Sequence, residues 1–275
     1  MMGEFPLVFF TVLSQLAAGA AVTLTLLDFF TDRIENSLGK KCTLIVLVVT
    51  GLSMAISLLH LGTPLNAYRA LTNLGSSWLS REVILFSLLA AMLLMYYFQW
   101  KGDNPFRKTL GLGISFVALL AVISSAMVYV LPAVPAWNNF STIVFFLLTS
   151  VVLGPLFILT ILKTKNDESP SDLIKLVGIV LAASFVCFVV YVSVLLSSSG
   201  ASALTGMSIV GNNAFWLRIL LNWILPLGLL AWGLSNKKMV DYKYVGCLFG
   251  LVLVGEVIGR YLFYYTAVAL QVAGL

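Results

Sequence analysis

The sequence is poor in the residues that metal binding and soluble catalysis draw on. It holds one histidine, His60, and three cysteines, Cys42, Cys187 and Cys247, with no CxxC-type spacing among them. That argues against an iron–sulfur cluster, a zinc site or a disulfide framework built from this protein alone. A haem held by two axial histidines lacks its second ligand. Charge is scarce as well, at 10% of residues where a soluble domain carries about 25%. Its balance is mildly basic, net +5, which does not suggest nucleic acid.

What fills the space is apolar. Sixty per cent of the 275 residues are hydrophobic, and they gather into runs of the length that crosses a bilayer, roughly 20 residues each. The runs are Phe5–Leu27, Cys42–Leu61, Leu79–Trp100, Lys108–Leu131, Trp137–Leu162, Asp172–Leu196, Ala214–Leu234 and Lys243–Gln271. The first run is too long for a signal peptide and lacks a basic n-region, so it reads as a retained span. A spanning segment must satisfy its own backbone hydrogen bonds, and the short alternating strands of a membrane barrel are absent. The expectation is an all-α polytopic membrane protein. It has one integral domain of eight transmembrane helices, arranged as two four-helix bundles.

Charge placement orients it. Every lysine lies at a connection after an odd-numbered run, from Lys40 and Lys41 to Lys237, Lys238 and Lys243. The connections Pro132–Ala136 and Ser197–Asn213 carry no charge. The positive-inside rule then puts the odd connections in the cytoplasm, and both termini with the even connections outside. Four arginines break the pattern: Arg69, Arg81, Arg218 and Arg260. With Glu82, Glu256 and His60 they fall toward the outer half, where polar groups at membrane depth are functional candidates by default.

The segment from His60 to Glu82 is the least apolar outward connection. Gly62 and Pro64 end the second run just after His60. Residues 65–74 have the spacing of a short interfacial helix, and Ser76–Ser80 offers a cap for the third span, with Arg81 and Glu82 in its first turns. Antiparallel neighbours joined in this way bring His60 and Glu82 to one interhelical pocket. Oxidation of a lipid-soluble hydroquinone releases two protons with its two electrons. It therefore needs an acceptor that titrates near neutrality, and histidine meets that need. Glu82 would relay the proton, Arg69 or Arg81 would hold it ionised, and Tyr68 and Trp78 would flank a planar ring. The plainer alternatives are an interfacial histidine and aromatic interface anchors.

The string His-Leu-Gly-x-Pro-x-x-Ala at residues 60–67, followed by Ser77, Ser80 and Glu82, resembles the membrane-anchor subunit of bacterial anaerobic dimethyl sulfoxide reductase. Polysulfide reductase membrane subunits are wider relatives. Two further blocks agree: Pro6-Leu-x-x-Phe10-Thr11 with Gln15 and Ala18-Gly19, and Gly255-Glu256-x-Ile258-Gly259-Arg260-x-x-Phe263-Tyr264. The resemblance implies a multi-pass anchor in the bacterial cytoplasmic membrane, carrying an iron–sulfur subunit and a molybdopterin catalytic subunit on its outward face. It implies oxidation of menaquinol at a site involving His60, with no haem, iron–sulfur cluster or molybdenum in this protein itself. Glu82 is the acid that follows the histidine block, and its relay role is an inference from chemistry.

Other polar residues carry two readings each. Glu256 and Arg260 are one turn apart on one helix face, either as an intramembrane ion pair or as part of a proton route. Gln15 either bonds across helices or lines the quinol pocket. Arg218 is expected to snorkel to headgroups and Asp28 to sit at the interface, while Pro155 and Pro226 are expected to kink their helices. Two rival functions remain: a proton-translocating or transporter-type subunit, and an inert tether.

Overall fold

A computed structural model describes residues 5–31, 34–59, 73–102, 104–162, 171–235 and 242–270. Its helices are α1 (Phe5–Phe30), α2 (Asn36–Leu59), α3 (Trp78–Phe98), α4 (Pro105–Val128), α5 (Phe140–Ile161), α6 (Ser171–Ser197), α7 (Gly200–Val210), α8 (Asn213–Ile219), α9 (Leu225–Ser235) and α10 (Tyr242–Tyr265). A single π-turn, Leu220–Ile224, joins α8 to α9. Among the described residues there is no strand, and eight helical stretches are long and apolar enough to span a membrane, α8 through α9 counting as one. The protein is a multi-pass all-α membrane protein.

Local sequence sets the helix starts. Ser77, Asn104, Asn139 and Asn212 are the N-caps of α3, α4, α5 and α8, each accepting a hydrogen bond from a backbone N–H of the first turn. A short polar side chain there replaces the intrahelical partner those N–H groups lack. Pro105 follows its cap at the first helical position, where a missing N–H costs nothing.

The spans pack as two bundles. α1–α4 enclose one core, which includes Phe86, Leu89, Leu93, Ile114 and Ala118. α5, α6, the α8–α9 pair and α10 enclose the other, around Leu153, Leu156, Leu181, Trp223 and Leu248. α1 is the hub, with 78% of its most apolar stretch buried against 28% for α2, α3 and α6. Its run of small residues, Ala17 to Ala21, explains why. Lipid gives helices no hydrophobic reason to associate, so close backbone approach across small residues does it. A Cβ added at Gly19 would lie 2.0 Å from Ser150 O, and one added at Gly154 would lie 2.1 Å from Gly19 C. There α1 and α5 touch backbone to backbone, and the bundles are joined.

The lysine-poor end is tied by its own loops. Leu270 N donates to Ala133 O at 2.9 Å, and Val268 N donates to Thr205 Oγ1 at 3.0 Å. The tail after α10 therefore lies beside the α4–α5 connection and α7. The helix α7 departs from expectation. Residues 197–213 read as a bare connection, yet Gly200–Val210 is helical and too short to span.

The lysine-rich end holds a buried ion pair. Arg107 Nη2 meets Asp28 Oδ1 at 2.9 Å, Arg107 Nε donates to Asp28 Oδ2 at 3.0 Å, and Tyr96 OH donates to the same oxygen at 2.6 Å. Arg107 also stacks over Trp100. Asp28, near the end of α1, is thus buried within the protein, where a cation from α4 and a phenol from α3 compensate its burial.

Candidate functional site at the lysine-poor end

Glu82 lies about one turn into α3, where the cap at Ser77 sets the helix start, and it is buried at 3% exposure. Its carboxylate faces Ser125 of α4. Among the described residues Glu82 Oε1, Ser125 Oγ and Tyr264 OH on α10 make no well-formed hydrogen bond, although Glu82 lies close to Ser125, and Tyr264 close to Tyr129 and Thr11. Buried polar atoms are normally paired, so three orphans in one place are conspicuous. Tyr264 packs edge-on to Tyr129 at 5.3 Å between ring centroids, with Glu82, Thr11 and Arg260 as its polar neighbours. Phe146, Trp137 and Phe263 complete an aromatic wall around Tyr129. The result is a buried polar cluster of carboxylate, alcohol and phenol oxygens, flanked by rings and drawn from α1, α3, α4 and α10.

Of the residues singled out from sequence, His60, Tyr68 and Arg69 lie outside the described residues. Trp78 and Arg81 stack on each other at the start of α3. Arg81 Nε donates to Leu74 O at 3.0 Å and Nη2 to Gly75 O at 2.7 Å, while the guanidinium stacks 4.3 Å over the Trp78 ring. Arg81 is therefore committed to the turn that enters α3 and is not the cation that holds Glu82 ionised. Trp78 opens the helix one turn before Glu82 and is 37% exposed.

Gln15 joins the two bundles. Its Oε1 accepts from Arg260 Nη2 at 2.8 Å, and its Nε2 is buried without a partner. The expected Glu256–Arg260 ion pair does not form among the described residues. Glu256 Oε2 accepts from Thr149 Oγ1 and Oε1 from Asn222 Nδ2, both at 2.8 Å. The reason is local. Pro226 has no N–H for the Asn222 carbonyl, the chain relaxes into the π-turn, and Asn222 is pressed against Gly255, where a Cβ would lie 2.6 Å from Asn222 Cβ. Asn222 therefore reaches Glu256 first. Such π-turns are frequent at functional sites.

Arg218 does not snorkel. Its guanidinium lies 4.4 Å from the Phe188 ring and 5.0 Å from the Trp223 ring, over Gly259, whose missing Cβ would sit 2.4 Å from Arg218 Cζ. Arg218, Arg260, Glu256 and Thr149 line a cavity of about 40 Å³ in the second bundle. Ser125, Tyr129, Tyr264 and Asn222 are the site residues that sequence reasoning misses. Two signals point faintly to Tyr264 and Ser125: Tyr264 stands at the end of the family block on α10, and the Ser124-Ser125 pair interrupts an otherwise apolar run. Among the described residues no cluster of His, Cys, Asp and Glu can hold a metal ion.

Comparison with known proteins agrees over the full length. The protein is 27% identical to the anaerobic dimethyl sulfoxide reductase subunit YnfH of Escherichia coli, covering 98% of each sequence. It is 29% identical to the C subunit of anaerobic dimethyl sulfoxide reductase from Haemophilus influenzae, covering 95% of this sequence and 94% of that one. The C subunit of the Escherichia coli enzyme is 28% identical with the same coverage. Residues 1–265 match the family described as DMSO reductase anchor subunit (DmsC). The protein belongs to the DMSO reductase anchor subunit family: it is a transmembrane anchor for a molybdoenzyme complex.

Proposed function

We propose that this protein is the quinol-oxidising anchor of its complex, taking electrons from menaquinol at the lysine-poor end and passing them to an iron–sulfur subunit. The observation that carries the reading is the trio of unpartnered buried oxygens, Glu82 Oε1, Ser125 Oγ and Tyr264 OH. A hydroquinone brings two hydroxyl groups, each a donor and an acceptor, and an aromatic body. The pocket offers acceptors and donors for the first and ring faces for the second.

Oxidising a hydroquinone to the quinone releases two electrons and two protons. In this proposal the electrons leave to the first iron–sulfur centre of the docked subunit, since the sequence holds no second histidine for a bis-histidine haem. His60, next in sequence after α2, receives one proton, and Glu82 accepts or relays the other. Glu82 is buried on α3 and makes no ion pair among the described residues, and a carboxylate held at such a position can act as a proton acceptor. Tyr264 and Ser125 orient the hydroxyl oxygens. The lysine-rich end faces the cytoplasm by the positive-inside rule, which puts the pocket, both termini and the partner subunits on the outer face of the cytoplasmic membrane. Menaquinol is the substrate that the family resemblance supplies. The molybdopterin subunit performs the terminal reduction.

The test is a pair of activities on the assembled complex. Glu82→Gln and His60→Leu should each lower quinol-driven reduction of the terminal acceptor by about 10²-fold or more, the usual worth of a positioned proton acceptor. Reduction driven by a soluble dye that feeds the catalytic subunit directly should be unchanged. Full quinol-driven turnover in both variants would remove the assignment.

A further inference from the structure

The cavity in the second bundle adjoins the Glu82 cluster through Trp137, Phe263 and Arg260 but does not include Glu82, Ser125 or Tyr264, and its charge is unbalanced. Two of the charged residues that line it are arginines, Arg218 and Arg260, and one is an acid, Glu256. Among the described residues neither arginine is ion-paired. Both carboxylate oxygens of Glu256 accept from neutral donors, Thr149 and Asn222. Arg260 reaches a neutral acceptor, Gln15. Arg218 is held between ring faces, and its Nε is buried with no hydrogen-bond partner. Gly259 pins it there, since the guanidinium fills the space of the missing side chain.

A cation buried at membrane depth is costly unless something compensates it. Ring quadrupoles offset part of that cost but supply no lone pair for the buried Nε–H. Glu82 does not line the cavity, being a neighbour of Tyr264 on the other side. Two guanidinium groups against one carboxyl group leave the cavity with an excess of positive charge. Its volume of about 40 Å³ admits about three water-sized particles, at roughly 10–15 Å³ each. That is too little for a quinol ring and enough for a small ion with a water.

We propose that this cavity is a binding site for a small monovalent anion of halide type, held between Arg218 and Arg260. The ion accepts from the guanidinium N–H groups that the protein leaves free, neutralises the excess charge, and links α8 to α10 and α5. No bond is made or broken. The site is structural, so it does not depend on the quinol reading.

The test uses the full-length protein in nanodiscs of zwitterionic phosphatidylcholine. Its thermal midpoint is measured in potassium chloride and in potassium gluconate at equal ionic strength. A ligand that binds only the folded state raises stability with its concentration, so chloride should raise the midpoint in a saturable way and gluconate should not. Arg218→Gln should abolish the difference, and Arg218→Lys should keep part of it. If Arg218→Gln does not fold, radiolabelled chloride on the wild-type protein decides, with about one ion bound per molecule and displacement by bromide but not gluconate. Equal midpoints in the two salts with no bound chloride would overturn the proposal. So would a chloride shift that survives Arg218→Gln, or a shift produced only by phosphatidylglycerol in the disc, which would make the ligand a lipid headgroup.

Discussion

Arg260 Nη2 donates to Gln15 Oε1 at 2.8 Å, across 245 positions of sequence. The bond is the polar counterpart of the contact between Gly19 and Gly154, and it connects α1 with the arginine cavity on α10. Removing the acceptor leaves a buried guanidinium short of a partner, which costs about 1–3 kcal/mol. Gln15→Leu should therefore lower the unfolding free energy of the purified protein by about that amount, while Gln15→Glu, which keeps an oxygen in place, should not. Equal stability for Gln15→Leu and the wild type would show that the bond contributes nothing.

Gly154→Leu should prevent the two bundles from docking. A side chain there enters the backbone of α1 at Gly19, and backbone has no rotamer to yield. Membrane-inserted protein should remain, but it should become sensitive to protease and lose the partner subunits on purification. Gly246→Ala is the control, because a Cβ there meets nothing within 4 Å. Loss of assembly in both would point to a general effect of glycine replacement.

Asp28→Leu strands Arg107 in a buried site. Breaking a buried pair by removing one partner costs about 3–5 kcal/mol, so the variant should unfold at markedly lower denaturant. Replacing both residues, as Asp28→Leu with Arg107→Met, should restore much of the loss. A double variant as unstable as the single one would mean that Tyr96, Asn36 and the Gly102 carbonyl matter more than the ion pair.

Reduced-minus-oxidised spectra of the purified subunit should show no b-type haem bands, because the sequence has one histidine. Reporter fusions at Gly39 and Lys101 should report cytoplasm, and a C-terminal fusion the outside. A haem band would contradict the ligand count, and inverted reporters would move the pocket to the other face.

The spans are legible in the sequence because a bilayer imposes one rule on every residue within it. The runs beginning at Phe5, Leu79 and Asp172 start at or within one residue of α1, α3 and α6. Family blocks point to Gln15, Glu82, Glu256 and Arg260 as a set. What sequence spacing does not supply is the partner. An i, i+4 relation describes Glu256 and Arg260 on one helix, but their hydrogen bonds go to Thr149, Asn222 and Gln15 on three other elements. Arg218 misleads for the same reason. A glycine on α10 and two rings, from α6 and the π-turn, make its niche, and only packing brings them together. Asp28 reads as interfacial until α4 supplies Arg107.

The bare crossing of α1 over α5 also bears on the rival reading as a carrier. Rocking-bundle transport requires two halves that part and rejoin around a central substrate. Here main chain rests on main chain with no lubricating layer of side chains, and the guanidinium of Arg260 is latched across the same seam. Parting the two halves would have to break both the main-chain seam and that latch, a cost that a rocking carrier keeps low.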